Sequence, residues 1–167
     1  MSGLVLVIPE LEALTADVRA AHDPAARYDM PPHITVLYPF VPMPKLRAED
    51  RARLADVVGS IPALDLSFSR LARFPQVLWL APDPEAPVLA LAEAVAAAFP
   101  DCPPYGGQFA TVIPHVTLAQ APEAVLDGLE PQMRLRFSQP VRARVDAVSL
   151  FATARRRWRE VERFRLA

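Results

Sequence analysis

The sequence predicts a mixed α+β domain made of two similar halves. Strand-like and helix-like stretches follow in the order strand, helix, strand, helix and further strands, first over about residues 1–80 and again over about 81–167. A short motif, Pro-His-apolar-Thr-apolar, occurs once in each half. No low-complexity tract or linker separates the halves, and the 19 prolines lie mostly between the predicted elements. We therefore predict one domain over residues 1–167 with a weak internal duplication.

Local periodicity places the elements of the first half. Leu11, Leu14, Val18 and Ala21 repeat every three or four positions, which is typical of an amphipathic helix. The run HITVLY is rich in β-branched residues and indicates a strand. The first half is predicted to contain strand 4–8, helix 10–22, strand 33–38, helix 49–60, strand 64–74 and strand 77–80.

The second half repeats this order. An Ala-rich stretch predicts a helix, the Pro/Gly-rich segment DCPPYGGQ predicts a loop, and HVTLA predicts a strand. The prediction for this half is helix 84–99, strand 115–119, a short helix 122–129, and strands 134–137, 144–151 and 158–166, the last two joined around ATARR.

Composition narrows the class of protein. Hydrophobic residues make up 52% of the chain and charged residues 22%, which is typical of a folded globular domain. Cys102 is the only cysteine, so no internal disulfide is expected. The N-terminus lacks the features of a signal peptide, and no apolar run is long enough to span a bilayer. We expect a cytoplasmic protein that does not associate with membranes.

Basic residues are concentrated at the C-terminal end. Residues 1–133 hold 8 basic and 16 acidic side chains, whereas residues 134–167 hold 10 arginines and 3 acidic side chains. Such a segment can bind an anionic partner such as phosphate or RNA. It can also be a solvated strand face, because four of the arginines have strand-like spacing: Arg157, Arg159, Arg163 and Arg165.

The two matched motifs are PPHITV at 31–36 and IPHVTL at 113–118. Side chains alternate across a strand, so His33 and Thr35 share one face, and His115 and Thr117 share the equivalent face of the other strand. One such motif is most often an ordinary exposed pair. Two copies at corresponding positions of a duplicated pattern favour a common functional site.

Two histidines and two threonines suit phosphodiester cleavage. The reaction needs a base for the nucleophile and an acid for the leaving oxygen, and imidazole can serve as either near neutral pH. Hydroxyl groups can stabilise the charge on the phosphoryl oxygens. The chain has no close pair of metal ligands of the usual zinc spacing, so we predict catalysis without metal or other cofactor.

The chain resembles the 2H phosphoesterases, a family that includes bacterial RNA 2′,3′-cyclic phosphodiesterases, also called 2′-5′ RNA ligases. The similarity covers HITVLYPF, RFPQVLWL, PYGGQFATVIPHVTLA and the final VSLFATARRRWREVERFRL. The resemblance implies a bilobal fold in which two antiparallel sheets face each other across a cleft, with helices outside. It also assigns catalytic roles to His33, Thr35, His115 and Thr117.

Other residues are weaker candidates. The substrate-binding candidates are Phe40, Tyr105 and Phe109, whose rings could stack on a base, and Arg155 and Arg157, which could reach phosphate from a hairpin tip. Alternatively, Phe40 packs in the core or its loop, and the arginines keep an edge strand soluble. Tyr38 and Trp158 are predicted to pack in the core, and His22 to interact with the end of its helix.

The sequence therefore predicts a metal-independent cyclic phosphodiesterase acting on a 2′,3′-cyclic phosphate of RNA or of a small nucleotide. Two alternatives stay open: a nucleotide- or RNA-binding module with little turnover, and a 2′-5′ RNA ligase that runs the reaction in reverse. We expect a monomer. Which histidine is the acid and which is the base does not follow from the sequence.

Overall fold

The computed structural model describes residues 1–109 and 111–167, so Ala110 of the PYGGQFATVIPHVTLA segment lies outside the described residues. The strands are β1 (Ser2–Val7), β2 (His33–Leu37), β3 (Leu64–Phe74), β4 (Val77–Asp83), β5 (Val116–Gln120), β6 (Val141–Val145), β7 (Ala147–Ala154) and β8 (Arg157–Arg165). The α-helices are α1 (Glu12–His22), α2 (Ala48–Gly59), α3 (Ala86–Ala98) and α4 (Glu123–Arg136).

Two four-stranded sheets form the framework. One has the strand order β2-β1-β7-β8 and the other the order β5-β4-β3-β6, and neighbouring strands are antiparallel throughout. Each motif strand, β2 or β5, is an edge strand of its sheet. These two edge strands contact each other, so the sheets adjoin along the strands that carry the motifs. The α+β class with two facing antiparallel sheets is confirmed.

The chain contains two similar strand–helix–strand units, and the second begins at β4, just before the predicted boundary between residues 80 and 81. In the first unit β1 leads through α1 to β2, and in the second β4 leads through α3 to β5. In both units the second strand pairs antiparallel with the first and carries a His-apolar-Thr motif. The helices are exchanged between the units, since α1 packs against β5 and α3 against β2.

One core cluster links both sheets with the four helices. Ile34 and Val36 of β2, and Val116 and Leu118 of β5, are at most 2% exposed and belong to this cluster. Buried residues of the helices, such as Val18 and Leu91, pack in the same cluster. The helices therefore cover the faces opposite the histidines, and burial of the apolar alternates fixes which way each histidine points.

The predicted strand at 134–137 is wrong and the predicted helix at 122–129 is too short, because a single helix, α4, runs from Glu123 to Arg136. The alternation Arg-Leu-Arg-Phe resembles a strand, but Leu135 is 76% exposed. The buried residues are instead Leu126, Met133 and Phe137, which repeat at helical spacing. Arg134 also pairs with Glu130 one turn earlier, as neighbours on a helix surface do.

The predicted strand at 144–151 is also wrong, because it runs through a strand break. The chain leaves β6 in one sheet at Val145 and enters β7 in the other sheet at Ala147. Asp146 lies between them, where its carbonyl accepts a hydrogen bond from the Leu166 N–H (2.9 Å). Apolar residues on both sides of the crossing give it the pattern of one continuous strand.

Candidate active site

The first motif lies at the start of β2. His33 and Thr35 are half-buried, while Ile34 between them is fully buried. His33 pairs with Val7 across the β1–β2 ladder and Thr35 pairs with Val5. The predicted alternation of this strand is therefore confirmed, with the imidazole and the hydroxyl on the same face.

The second motif has the same geometry. His115 directly precedes β5, and Thr117 pairs with Trp79 of β4. Both motif side chains are half-buried, and Val116 between them is fully buried. The two halves thus present equivalent imidazole–hydroxyl pairs from adjoining edge strands.

Each histidine is oriented by the backbone two residues before it. His33 Nδ1 is 2.8 Å from the Pro31 carbonyl oxygen, and His115 Nδ1 is 2.7 Å from that of Ile113. A carbonyl oxygen only accepts, so both rings carry the proton on Nδ1 when neutral. Nε2 of each ring is then left unprotonated and available for proton transfer.

Burial shifts both histidines toward the neutral form. Desolvation lowers the pKa of His33 to about 4, although the hydrogen bond to Pro31 opposes the shift. The pKa of His115 is lowered as well, mainly by desolvation and against the opposing hydrogen bond to Ile113. A charge on His115 also lowers the pKa of His33, so the two imidazoles interact electrostatically. Both are therefore neutral in the free protein at pH 7.

The surroundings of the two histidines differ. His115 packs edge-on against Phe74 and Trp79, with ring centroids 5.1 and 5.8 Å away. His33 instead lies near the Arg19–Asp23 ion pair, and both charges act on its pKa. The symmetry of the motifs does not extend to the groups behind them.

A cavity of about 480 Å³ opens beside the second motif. His115 and Thr117 supply polar groups, and Tyr105 and Phe109 are among its aromatic residues. The remaining described residues that line it are Phe74, Pro75, Val77, Thr111, Val112, Ile113 and Gln120. This volume lies within the range of small-molecule sites.

Tyr105 links the cavity to the first motif. Its pKa is raised by burial, and a hydrogen bond with the Thr35 side chain opposes that rise. Its backbone N–H donates to the Tyr38 carbonyl (2.6 Å), and its φ of 51° places it in the left-handed region. Phe109, 62% exposed, packs edge-on against it at 5.5 Å. The structure thus brings two of the three predicted aromatic residues, Tyr105 and Phe109, to the cavity.

Phe40 does not reach the cavity. It is 3% exposed and packs edge-on against Phe99 in the main core, with ring centroids 4.9 Å apart. The predicted base-stacking role is therefore wrong, because no face of the ring is free. Core packing, the alternative, is what the structure shows.

The predicted core positions of Tyr38 and Trp158 are wrong. Both side chains are half-buried, and they pack against each other at 6.2 Å. Strand β2 ends at Leu37, so the alternation that would place Tyr38 on the core face does not extend to it. Trp158 borders a small second cluster around Val5 and Phe151.

Arg155 and Arg157 are not among the described residues that line the cavity. Arg155 lies in the turn between β7 and β8, as predicted, and Arg157 pairs with Asp29 at 2.7 Å. The other three arginines with strand-like spacing also form ion pairs: Arg159 with Asp29, Arg163 with Glu160 and Arg165 with Asp146. The geometry therefore favours a solvated, ion-paired edge strand over a phosphate-binding role.

Sequence reasoning missed Phe74, Trp79 and the two carbonyls that orient the histidines. Phe74 and Trp79 stack at 4.7 Å beneath His115. The segment RFPQVLWL contained the signal, since Phe74, Val77 and Trp79 share one face of the β3–β4 hairpin. That this face meets His115 depends on the pairing of β4 with β5, which only the structure shows.

Comparison with known proteins identifies the family. The model of the 2′-5′ RNA ligase superfamily matches residues 7–157, and the chain belongs to that superfamily. A search of curated proteins gave no significant match.

Solved structures show the same fold. E. coli LigT complexed with 3′-AMP is 20% identical, with a TM-score of 0.63 over 99% of this chain and 97% of that chain. E. coli LigT complexed with NADP⁺ is 19% identical, with a TM-score of 0.60 over 99% and 96%. The protein TT0787 of Thermus thermophilus is 17% identical, with a TM-score of 0.62 over 98% and 96%.

Two further observations concern only the described residues. None of their helices combines the length and the apolarity that crossing a membrane requires. No three histidine, cysteine, aspartate or glutamate side chains among them cluster closely enough to hold a metal ion.

Proposed function

We propose that the protein is a metal-independent cyclic phosphodiesterase that hydrolyses a 2′,3′-cyclic phosphate on RNA or on a small nucleotide. The observation that carries the proposal is the matched pair of oriented imidazoles. Both rings donate Nδ1–H to a backbone carbonyl, and each lies on the same strand face as a threonine hydroxyl. Their strands adjoin, so both pairs can act on one phosphate.

In the proposed reaction, one imidazole Nε2 takes a proton from water as the water oxygen bonds to phosphorus. The bond from phosphorus to one ribose oxygen breaks, and the other imidazole, protonated, gives its proton to that oxygen. The product is a ribose phosphomonoester. Thr35 and Thr117 donate hydrogen bonds to the remaining phosphoryl oxygens, where charge accumulates.

The cavity supports a nucleotide as the substrate. Tyr105 and Phe109 offer aromatic faces next to His115, and base stacking on such faces is largely independent of sequence. The related E. coli LigT has been crystallised with 3′-AMP, NADP⁺ and ATP, which are all nucleotides. We infer that a base occupies this cavity while its phosphate lies between the two motifs.

Two alternatives use the same site. A binding module would hold the nucleotide without turnover, and an RNA ligase would join a 2′,3′-cyclic phosphate end to a hydroxyl end. Hydrolysis is favoured over simple binding because the backbone carbonyls bind Nδ1 of each ring and leave each Nε2 able to take up or give a proton. Ligation is retained as an alternative because the superfamily is named after 2′-5′ RNA ligases.

A substrate panel tests the proposal. The protein is incubated with the four 2′,3′-cyclic nucleotides, with 3′,5′-cyclic AMP, and with RNA that ends in a 2′,3′-cyclic phosphate. We expect the 2′,3′-cyclic compounds to gain the mass of one water, while 3′,5′-cyclic AMP stays intact. Joined RNA would support ligation, and tight binding without product would support the binding module.

The third histidine offers a matched control. His22 lies at the end of α1 and does not line the cavity. His22→Ala should keep wild-type turnover. Loss of turnover in this variant would show that the assay reports general damage rather than the site.

A further inference from the structure

Helix α1 buries an ion pair that the proposed chemistry does not use. Arg19 and Asp23 are each 3% exposed, and they are the only fully buried charged residues among those described. Both Arg19 Nε and a terminal nitrogen bind Asp23 Oδ2, at 3.0 and 2.9 Å. Replacing a buried ion pair with apolar residues is often neutral or stabilising, so its presence here calls for a reason other than stability.

The pair holds the segment that leads into His33. The Arg19 guanidinium donates to the Met30 carbonyl (2.8 Å), and Asp23 Oδ1 accepts the Ala25 N–H (2.9 Å). These bonds fix both ends of the stretch 25–30. The next residue, Pro31, supplies the carbonyl that accepts the His33 Nδ1 proton.

We propose that Arg19 and Asp23 are positioning residues for His33: they hold the Pro31 carbonyl in place, and thereby fix which ring nitrogen carries the proton. The inference rests on the proposed function for its effect on turnover, but not for its effect on the ring itself. Neither residue needs to touch the substrate.

The other half of the molecule provides an internal comparison. His115 has the same bond to a carbonyl, but Phe74 and Trp79 pack against its ring, and neither Arg19 nor Asp23 contributes to its pKa shift. The groups whose charge acts on His33 are Arg19, Asp23 and His115. Changes to the ion pair should therefore alter His33 and leave His115 as it is.

The charge of the ion pair and its positioning role have different effects on His33, so variants can separate them. Removing Arg19 leaves the Asp23 carboxylate uncompensated, so the pKa of His33 should rise by about 1 unit. Asp23→Asn should lower that pKa further. In the double variant Arg19→Met/Asp23→Asn the charge effects largely cancel. The tautomer should respond differently from the pKa. In all three variants, Arg19→Met, Asp23→Asn and the double variant, part of the population should lose the proton from Nδ1 of His33.

The test uses ¹⁵N NMR of the three histidines, together with kcat/KM on a 2′,3′-cyclic nucleotide. In the wild type we expect His33 to carry its neutral proton on Nδ1. In the three variants we expect a mixture of both tautomers at His33, an unchanged His115, and kcat/KM reduced about 10- to 100-fold. Arg19→Lys, which keeps the charge and one donor for Met30, should restore the pKa and part of kcat/KM.

A matched control is the ion pair that joins the outside of α1 to α4. Asp17 forms a two-pronged pair with Arg136, at 2.6 and 2.7 Å, on the outside of α1. Arg136→Met should leave the tautomer of His33 and kcat/KM unchanged. If it changes them as Arg19→Met does, the effect belongs to the helix as a whole and the inference is wrong.

The outcomes separate this inference from the proposed function. Wild-type turnover together with an unchanged His33 tautomer in the folded variants would overturn the positioning role alone. A shifted tautomer in a protein without turnover would support the positioning role and count against the phosphodiesterase. If Arg19→Met does not fold, Arg19→Lys and Asp23→Asn test the positioning role by the same two measurements, the His33 tautomer and kcat/KM.

Discussion

Single residues define the site, and the state of the two histidines is its most specific property. Both are polarised by a carbonyl on Nδ1, and desolvation holds the pKa of both below that of a free imidazole. From sequence alone, one neutral and one charged histidine near pH 7 would be expected. The structure changes this, because burial makes both neutral in the free protein. In the proposed mechanism, the histidine that acts as the acid is therefore protonated either in acidic solution or when the bound phosphate anion raises its pKa.

The pH dependence of turnover follows from this. kcat/KM reports the free enzyme, which must hold one neutral and one protonated imidazole. Because both pKa values lie below about 6.5, kcat/KM should be highest in acid and fall as the pH rises above 6. In the bound complex the phosphate anion favours imidazolium, so kcat should begin to fall at a higher pH than kcat/KM does. A value of kcat/KM that keeps rising to pH 8 would contradict this.

His33 should also make folding stability pH-dependent. Its folded pKa of about 4 lies below the unfolded value of 6.5, so the unfolded chain binds the extra proton between these pH values. Stability is therefore unaffected above 6.5 and falls as the pH drops toward 4, by up to roughly 3 kcal/mol for this residue. Urea unfolding at pH 7, 5.5 and 4.5 should show that the free energy of unfolding falls less in His33→Ala than in the wild type. Equal losses in both proteins would refute the assignment.

Elements position these residues, and they differ in how well the sequence predicts them. β2 and β5 follow from alternation, because Ile34, Val36, Val116 and Leu118 must be buried on one face. The end of α4 does not follow, since Arg134–Arg136 alternates like a strand while the burial of Met133 and Phe137 is helical. The break between β6 and β7 at Asp146 arises because the two strands join different sheets, and the local sequence does not indicate this.

The loop that carries Tyr105 and Phe109 should govern substrate binding. Phe109 is 62% exposed, so Phe109→Ala should not disturb folding. Losing one stacking face should raise KM for a 2′,3′-cyclic nucleotide about 10-fold, with little change in kcat. Leu135→Ala, which removes an exposed side chain on α4, serves as the control. A fall in kcat with KM unchanged would place Phe109 in the chemistry rather than in base binding.

At the scale of the whole molecule, the repeated strand–helix–strand unit places His33 and His115, 82 residues apart, on edge strands that contact each other. The sequence pattern predicted the two motifs, their common strand face and a mixed α+β domain, and the family resemblance implied the two-sheet fold. It could not predict the contact between β2 and β5, the exchange of α1 and α3 between the units, or the burial of Arg19 and Asp23 behind only one histidine. Those features arise from long-range packing, where the halves are not equivalent.

The proposed mechanism uses no metal, so chelation should have no effect. Turnover of a 2′,3′-cyclic nucleotide should be the same before and after dialysis against EDTA. Zinc or manganese added afterwards should not increase it. Activity that is lost on dialysis and restored by a metal would contradict the two-histidine mechanism.

The most direct test of the central claim is a double-mutant cycle on the two histidines, measured as hydrolysis of a 2′,3′-cyclic nucleotide under EDTA. His33→Ala and His115→Ala should each lower kcat by at least about 10²-fold, because each removes one partner of a proton transfer. The double variant should be little worse than either single one, because acid and base act as a unit. All three should remain folded, since the apolar alternates hold both strands. A folded His115→Ala protein that hydrolyses the substrate at the wild-type rate would contradict the claim that the two motifs form one active site.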